Sequence, residues 1–318
     1  MPDPYPSCRA TRVWPELTRS GRPGRGKLER FVLSATFETS KARLGEAADG
    51  SDAMVDLGLQ PSPEVTHGLG RLALGDLLRR SARRFPEKVA VATPSREITY
   101  GQLDELANRC AHALLEQGAK RGDRIATVCA NSIDFIITIF GIHKAGLVWA
   151  PINPSLSDDD KAYILDHTQA AIIIADKPLD DYLLGSIQQN PIVLTLGPDF
   201  DTLLAAAPGD EPDLSIGERD LVMIMYTSGT TSRPKGVMHC NLAVYATVMC
   251  NIGEWMVTRD DRILIVLPLF HVSAHCLLTT FLSAGATVVL HNGFDPGRVL
   301  PAMEEHKISF FVGLPMMY

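Results

Sequence analysis

The amino-acid sequence predicts an α/β fold, in which alternating strands and helices form largely parallel sheets covered by helices. Short apolar runs, such as residues 124–129 and 171–175, alternate with segments of helical periodicity along most of the chain after residue 69. Strands that are connected through helices lie side by side in parallel, and the helices cover both faces of the sheet. The hydrophobic fraction of 46% in 318 residues also suffices for one large or two modest domains.

The first predicted elements lie just after residue 70. A stripe of leucines followed by arginines in residues 72–84 indicates an amphipathic helix, which Pro86 ends. Residues 89–91 and 98–100 predict short strands, and Thr99 can cap the helix that follows. Further strands are predicted at residues 124–129, 147–150, 171–175 and 221–225, helices at 132–145 and 158–167, and one more α/β step at 182–196.

Residues 263–292 contain no Asp, Glu, Lys or Arg, so a membrane-spanning helix is one interpretation of this segment. Proline, histidine and glycine interrupt the run, and its last part, 286–290, has the composition of a strand. A buried strand, helix and strand in succession fits the pattern better, and we expect no transmembrane segment. Beyond it, a helix is predicted from Phe294 onward, and a strand at residues 308–312 that ends at Gly313.

Residues 1–66 differ from the rest of the chain. Their arginines are scattered among proline, glycine and serine with no apolar period, so we expect a disordered tail. The alternative is that the natural protein starts at Met54. Two α/β subdomains are expected to follow, at residues 67–197 and 220–318. The stretch 198–219, which contains several prolines and glycines, would link them, and the second subdomain would carry the functional loop.

Charge and cysteine usage narrow the functional class. The formal net charge of −7 argues against nucleic acid as a partner. The six cysteines form no C-x-x-C pair and predict reduced thiols in a cytoplasmic protein rather than a disulfide framework. His271 and His275 have the spacing of two metal ligands on a helix, but no third ligand is evident. We expect His275 to be a hydrogen-bonded, partly buried histidine.

The stretch 226–236, with the sequence Y-T-S-G-T-T-S-R-P-K-G, is the strongest functional signal. It follows an apolar run and precedes a segment, 237–255, in which we expect a helix; strand, small-residue loop and helix in succession often hold phosphate. Its hydroxyls and glycine suit an anion, and Lys235 adds a positive charge after the stiffening Pro234. A surface loop rich in turn residues is the plain alternative. A Walker-type loop does not fit, because it needs glycine before the lysine and serine or threonine after it.

These residues resemble the signature loop of the adenylate-forming superfamily, which includes acyl- and aryl-CoA synthetases, luciferases and the adenylation domains of peptide synthetases. The family pattern is roughly [YF]-T-S-G-T-T-G-x-P-K-G, and the chain departs from it at Ser232, where glycine is usual. Residues 100–103 and 144–154 are similar to two earlier motifs of the family. The resemblance covers residues 69–318 and implies the large N-terminal domain of these enzymes.

The resemblance also implies an activity. An ATP-dependent acyl-CoA ligase adenylates a carboxylic acid with the help of Mg²⁺ and then forms a thioester with coenzyme A. By resemblance, Lys235 and His271 are catalytic, Thr227 contacts Mg²⁺, and Phe270, His271 and Gly313 lie at the acid. The ATP-binding residues that the resemblance implies are Thr227, Ser228, Gly229, Thr230, Thr231, Lys235 and Gly236.

Several parts of these enzymes would lie beyond Tyr318, among them the segments that contact adenine and ribose and the small domain with its catalytic lysine. We therefore expect a fragment that is inactive alone and that self-associates through exposed apolar surface. Alternatives are a truncated, non-catalytic relative that binds a nucleotide or a partner, and an unrelated enzyme such as a P-loop NTPase. Medium- or long-chain fatty acids and aromatic acids are favoured over acetate by the apolar segments around Phe270, Phe281, Phe310 and Phe311.

Overall fold

The computed structural model describes residues 72–227 and 233–317. Its helices are α1 (Leu74–Arg84), α2 (Tyr100–Glu116), α3 (Ile133–Lys144), α4 (Asp158–Thr168), α5 (Asp181–Ser186), α6 (Pro198–Ala206), α7 (Asn241–Trp255), α8 (Val272–Ala284) and α9 (Pro296–Glu305). Its strands are β1 (Val89–Ala92), β2 (Glu97–Thr99), β3 (Arg124–Val128), β4 (Val148–Pro151), β5 (Ala170–Ala175), β6 (Ile192–Thr195), β7 (Leu221–Thr227), β8 (Lys235–Cys240), β9 (Arg262–Ile265), β10 (Thr287–Leu290) and β11 (Phe310–Phe311). The tail predicted for residues 1–66 lies outside the described residues.

The strands form two sheets. The first has the order β11–β9–β10–β1–β2, and the second has the order β6–β5–β3–β4–β7–β8. Neighbouring strands are parallel except at one edge of each sheet, where β2 runs antiparallel to β1 and β8 runs antiparallel to β7. Two largely parallel sheets with helical connections confirm the fold class that the alternation of strands and helices predicted.

Side-chain caps explain where several helices begin. The Thr99 hydroxyl accepts a hydrogen bond from the Gln102 N–H, and the Gln102 side chain accepts one from the Thr99 N–H, so α2 starts with a capping box. Three other helices have a simpler cap with one side-chain hydrogen bond. The side chains of Ser132, Ser157 and Asp295 cap α3, α4 and α9, and each accepts from a backbone N–H of the first turn. These caps place the helix starts within a residue or two of their predicted positions.

Helix α3 lies in the main hydrophobic core. All of its residues except Asp134 are buried, as expected for a helix that is apolar on every side. It approaches α2 so closely that a Cβ at Gly141 would lie 2.5 Å from Cys110 Sγ. Trp149 of β4 is fully buried in the same core, with its ring centre 6.1 Å from that of Phe135. The core includes strands of both sheets and therefore holds them together.

The stretch predicted as a linker is partly helical. Helix α6 occupies residues 198–206, with Pro198 in its first turn and with Phe200 and Leu204 buried four residues apart. Each sheet also pairs strands from both sides of the stretch, β1 with β10 and β4 with β7. The subdomain boundaries at 197 and 220 stay a prediction.

The segment 263–292 has the predicted order of strand, helix and strand, in β9, α8 and β10. No helix in the described part of the chain is long and apolar enough to cross a membrane.

Candidate active site

The predicted phosphate loop lies in a β-hairpin. Strands β7 and β8 are antiparallel neighbours, with Thr227 opposite Lys235 and Tyr226 opposite Gly236. The Thr227 hydroxyl donates a hydrogen bond of 3.4 Å to the carbonyl oxygen of Lys235. The hairpin thus brings together three of the residues expected to bind ATP. The other four, Ser228, Gly229, Thr230 and Thr231, lie outside the described residues.

The helix expected within residues 237–255 is confirmed as α7, but a strand that the sequence did not predict separates it from the loop. Strand β8 follows the loop, and α7 begins only at Asn241. The chain leaving the loop does not enter a helix, so this connection supplies no helix N-terminus to hold phosphate. The strand was missed because residues 237–255 are mostly apolar, and a short apolar run fits a strand as well as a helix.

Packing against β7 explains why position 236 is a glycine. A Cβ there would lie 2.8 Å from Ile224 Cγ2 and 3.2 Å from Tyr226 Cζ. The side chains of β7 therefore occupy the space that a side chain at Gly236 would need. This packing explains the residue type independently of a ligand, and the contact of Gly236 with ATP stays a prediction.

Thr227 and Lys235 offer polar groups at the loop end of the hairpin, since both residues are exposed. Within the two described ranges, the Lys235 ammonium group has no hydrogen-bond or ion-pair partner. A compact, uncommitted ammonium at the start of a strand is available to an anion such as a phosphate group.

Helix α4 contacts the hairpin at both ends of the loop. The Tyr226 hydroxyl lies 2.8 Å from His167 Nδ1 and 2.8 Å from Thr168 Oγ1. On the far side of the loop, the Arg233 guanidinium lies 4.8 Å from the ring centre of Tyr163. Burial raises the pKa of Tyr226, although its hydrogen bond with Thr168 opposes the shift, so the phenol stays protonated near neutral pH.

The second group of predicted residues follows β9. Phe270 is half-buried, His271 is exposed, and their ring centres are 5.0 Å apart. His271 immediately precedes α8, where its side chain makes no capping hydrogen bond. Its imidazole is therefore exposed at the start of a helix, a position that suits the carboxylate of a substrate.

Asn131, which the sequence did not single out, holds this segment in place. Its Oδ1 accepts a hydrogen bond of 2.8 Å from the Leu269 N–H. Its Nδ2 donates to the carbonyl oxygens of Leu267, at 2.9 Å, and His291, at 3.0 Å. Asn131 follows β3 of the second sheet, whereas its partners follow β9 and β10 of the first, so one side chain joins the carboxyl ends of strands from both sheets.

Gly313 follows β11, which pairs in parallel with β9. Because parallel strands end at a common edge, Gly313 and His271 lie at the same edge of the first sheet, where ligands of α/β proteins bind. Phe281 is different, because it is fully buried and its ring centre lies 5.0 Å from that of Phe310. The segment around Phe281 therefore belongs to the core and says nothing about the acid, contrary to the expectation from sequence.

His275 lies in the core and is only 1% exposed. Its Nε2 has no hydrogen-bond partner in the described part of the chain, so the expected hydrogen-bonded, partly buried histidine is wrong. Its ring centre lies 4.8 Å from that of Trp149 and 5.8 Å from that of His143. Burial lowers the pKa of His275 to about 3, and also lowers the pKa of His143, so both rings are neutral near pH 7.

Comparison with known proteins decides the family. The profile described as AMP-binding enzyme matches residues 78–318. The chain belongs to this family. The match confirms the resemblance to the adenylate-forming superfamily that the loop at 226–236 indicated, and it removes the P-loop NTPase alternative.

Curated relatives of the chain include CoA ligases. It is 34% identical over 250 residues to a feruloyl-CoA synthase of an Amycolatopsis species, an alignment that covers 77% of this chain and 49% of the relative. It is 33% identical over 255 residues to the long-chain-fatty-acid–CoA ligase FadD13 of Mycobacterium tuberculosis, covering 76% of this chain and 50% of the relative. The chain spans about half the length of the curated relatives that it matches.

A solved structure supports the same architecture. The inhibitor-bound N-terminal domain of FACL13 from Mycobacterium tuberculosis superposes with a TM-score of 0.69 at 30% sequence identity. The superposition covers 77% of this chain and 63% of that domain. The two-sheet arrangement is therefore that of the N-terminal domains of adenylate-forming enzymes.

Proposed function

We propose that the chain supplies ATP- and acid-binding residues of an ATP-dependent acyl-CoA ligase. The observation that carries this proposal is the β7–β8 hairpin, which sets Thr227 opposite Lys235 across the family's signature loop. Carboxylate adenylation followed by thioester formation is the activity that these residue types support best.

In the first half-reaction a carboxylate oxygen attacks the α-phosphorus of ATP, and the bond from that phosphorus to the β-phosphate oxygen breaks, releasing pyrophosphate. Both reactants are anionic, and the chain has a formal net charge of −7, so their repulsion must be reduced locally. The exposed ammonium of Lys235 would neutralise charge on the phosphates. In the second half-reaction the coenzyme A thiolate attacks the acyl carbon, and AMP leaves.

The predicted Mg²⁺ fits the chemistry of the hairpin. Mg²⁺ prefers oxygen ligands and usually keeps several waters beside substrate phosphates, so a protein hydroxyl can supply one of its ligands. Thr227 is exposed at the end of β7, and its hydroxyl oxygen would be such a ligand. When bound, the ion would offset negative charge on the phosphates.

The acid is proposed to be a medium- or long-chain fatty acid or an aromatic acid. Support comes from the relatives, a feruloyl-CoA synthase and a long-chain-fatty-acid–CoA ligase. The half-buried ring of Phe270 lies beside the exposed His271, so it gives an apolar contact next to the imidazole that would bind the carboxylate.

Stable acyl-adenylate analogues test both parts of the proposal. Analogues with a long-chain acyl group, a feruloyl group and an acetyl group would be titrated against the chain by calorimetry. We expect the long-chain or the feruloyl analogue to bind at least about tenfold more tightly than the acetyl analogue, a difference of about 1.4 kcal/mol. Equal affinity for all three would contradict the assigned acid class, and no binding of any would contradict the proposed function.

A further inference from the structure

One helix holds both stems of the signature loop. At the entry to the segment 228–232, the Tyr226 hydroxyl contacts His167 and Thr168, each at 2.8 Å. At the exit, Arg233 stacks its guanidinium over Tyr163 at 4.8 Å from the ring centre. Tyr163, His167 and Thr168 all belong to the second half of α4 and are called the α4 clasp below.

The members of the α4 clasp support one another. The rings of Tyr163 and His167 are stacked, with centres 5.6 Å apart and an angle of 29° between their planes. The Tyr226 ring meets His167 edge-on, with centres 5.8 Å apart. Arg233, Tyr163, His167 and Tyr226 therefore form one continuous series of contacts that runs from the exit of the loop to its entry.

The clasp is built on a rigid element. Ala162, Ile164 and Leu165 of α4 are buried in the core of the second sheet, and Thr168 is only 4% exposed. Ser157 caps the start of the helix. Side chains on a packed helix hold a site in its geometry more precisely than side chains on a loop do.

The hydrogen bonds of the clasp persist in either charge state of His167. A tyrosine hydroxyl both donates and accepts, and so does a threonine hydroxyl. With neutral His167, the phenol donates to Nδ1 and accepts from Thr168. With protonated His167, Nδ1 donates to the phenol, which then donates to Thr168. The clasp therefore does not depend on the protonation of this exposed imidazole.

We propose that the α4 clasp positions the nucleotide-phosphate site, by fixing the two stems so that Thr227 and Lys235 stay paired before a phosphate group arrives. Tyr163, His167 and Thr168 are positioning residues, because they act through Tyr226 and Arg233. The inference rests on the proposed function, since the ligand is a nucleoside triphosphate. A site that is held in its binding geometry does not pay the ordering cost on binding, so loss of the clasp weakens binding.

The test uses the whole 318-residue chain and variants with small changes. Tyr226→Phe removes both hydrogen bonds but keeps the ring beside Gly236, and Tyr163→Leu removes the stack on Arg233. His167→Leu removes one hydrogen bond, whereas His167→Gln keeps a polar group at the same reach. Tyr182→Phe is the matched control, because this 63%-exposed tyrosine also bonds to α4, at Asp159, 3.2 Å away, in the first turn of the helix.

Two readouts are needed, hydrogen exchange of backbone amides at 226–236 without ligand and the dissociation constant of MgATP. We expect Tyr226→Phe and Tyr163→Leu each to speed exchange there and to weaken MgATP binding, by about three- to tenfold. His167→Gln should resemble the parent more closely than His167→Leu does, and Tyr182→Phe should change neither readout.

Exchange and affinity both within twofold of the parent would overturn the clasp. Faster exchange with unchanged MgATP affinity would also overturn it, because α4 would then be a structural brace only. If the parent itself bound no MgATP, the proposed function would fail. That failure remains distinguishable, because exchange in the ligand-free variants still shows whether α4 fixes the stems.

Discussion

Replacing Asn131 by alanine removes three hydrogen bonds at a residue that is only 9% exposed. The substitution leaves the Leu269 N–H and the carbonyl oxygens of Leu267 and His291 without this partner. Each stranded buried polar group costs about 1–3 kcal/mol. Asn131 also lines a cleft of about 490 Å³, through which water can reach the stranded groups. We therefore expect a loss of about 2–4 kcal/mol in the free energy of unfolding, at or below the lower end of the sum of about 3–9 kcal/mol for three groups without access to water.

Urea unfolding, followed by tryptophan fluorescence, measures this loss as a shift of the midpoint at constant slope. Asn131→Asp is the informative companion, because it keeps an acceptor for Leu269 N–H but turns a carboxylate toward two carbonyl oxygens. We expect it to destabilise the chain at least as much as alanine does at pH 7. Asn153→Ala is the control, since Asn153 accepts one exposed hydrogen bond, from Ser155 at 2.9 Å. A loss below about 0.5 kcal/mol for Asn131→Ala would refute the role of this amide.

Two further predictions concern packing and pH. Gly236→Ala should destabilise the chain by about 1–3 kcal/mol in urea unfolding, because the new Cβ would clash with Ile224 and Tyr226. Gly253→Ala is the control and should not destabilise the chain, because a Cβ at Gly253 has no neighbouring atom within 4 Å. Burial lowers the pKa of His275 from 6.5 to about 3. Between these two pH values the imidazole is protonated in the unfolded chain and neutral in the folded chain. The unfolding free energy should then fall by about 1.4 kcal/mol per pH unit as pH drops below 6.5, and His275→Leu should remove that part of the slope between pH 6.5 and 5.

Most helices and strands were predictable because their signals are local. Thr99 precedes an apolar period of 3.6 and caps α2, and the charge-free segment at 263–292 divides at its proline and glycine into β9, α8 and β10. Helix α6 was missed because the surrounding prolines and glycines are typical of a linker. Pro198 and the spacing of Phe200 and Leu204 do indicate a helix.

The parts of the site that sequence missed depend on distant contacts. Strand β8 is defined by its pairing with β7, and its apolar composition alone also fits a helix. Asn131 and Leu269 are 138 positions apart in the chain, and His167 and Tyr226 are 59 apart. No local pattern marks such pairs, although a polar residue soon after a buried strand, as Asn131 is after β3, can be singled out as a candidate in an α/β protein.

The central claim is that the β7–β8 hairpin binds the phosphates of ATP, and calorimetric titration of MgATP into the 318-residue chain tests it most directly. Lys235→Ala is compared with Lys120→Ala, which removes an exposed lysine from the turn before β3. The parent and Lys120→Ala should bind MgATP with the same saturable affinity, and Lys235→Ala at least about tenfold more weakly, a loss of about 1.4 kcal/mol. Equal affinity of Lys235→Ala and the parent, or no saturable binding by the parent, would contradict the claim.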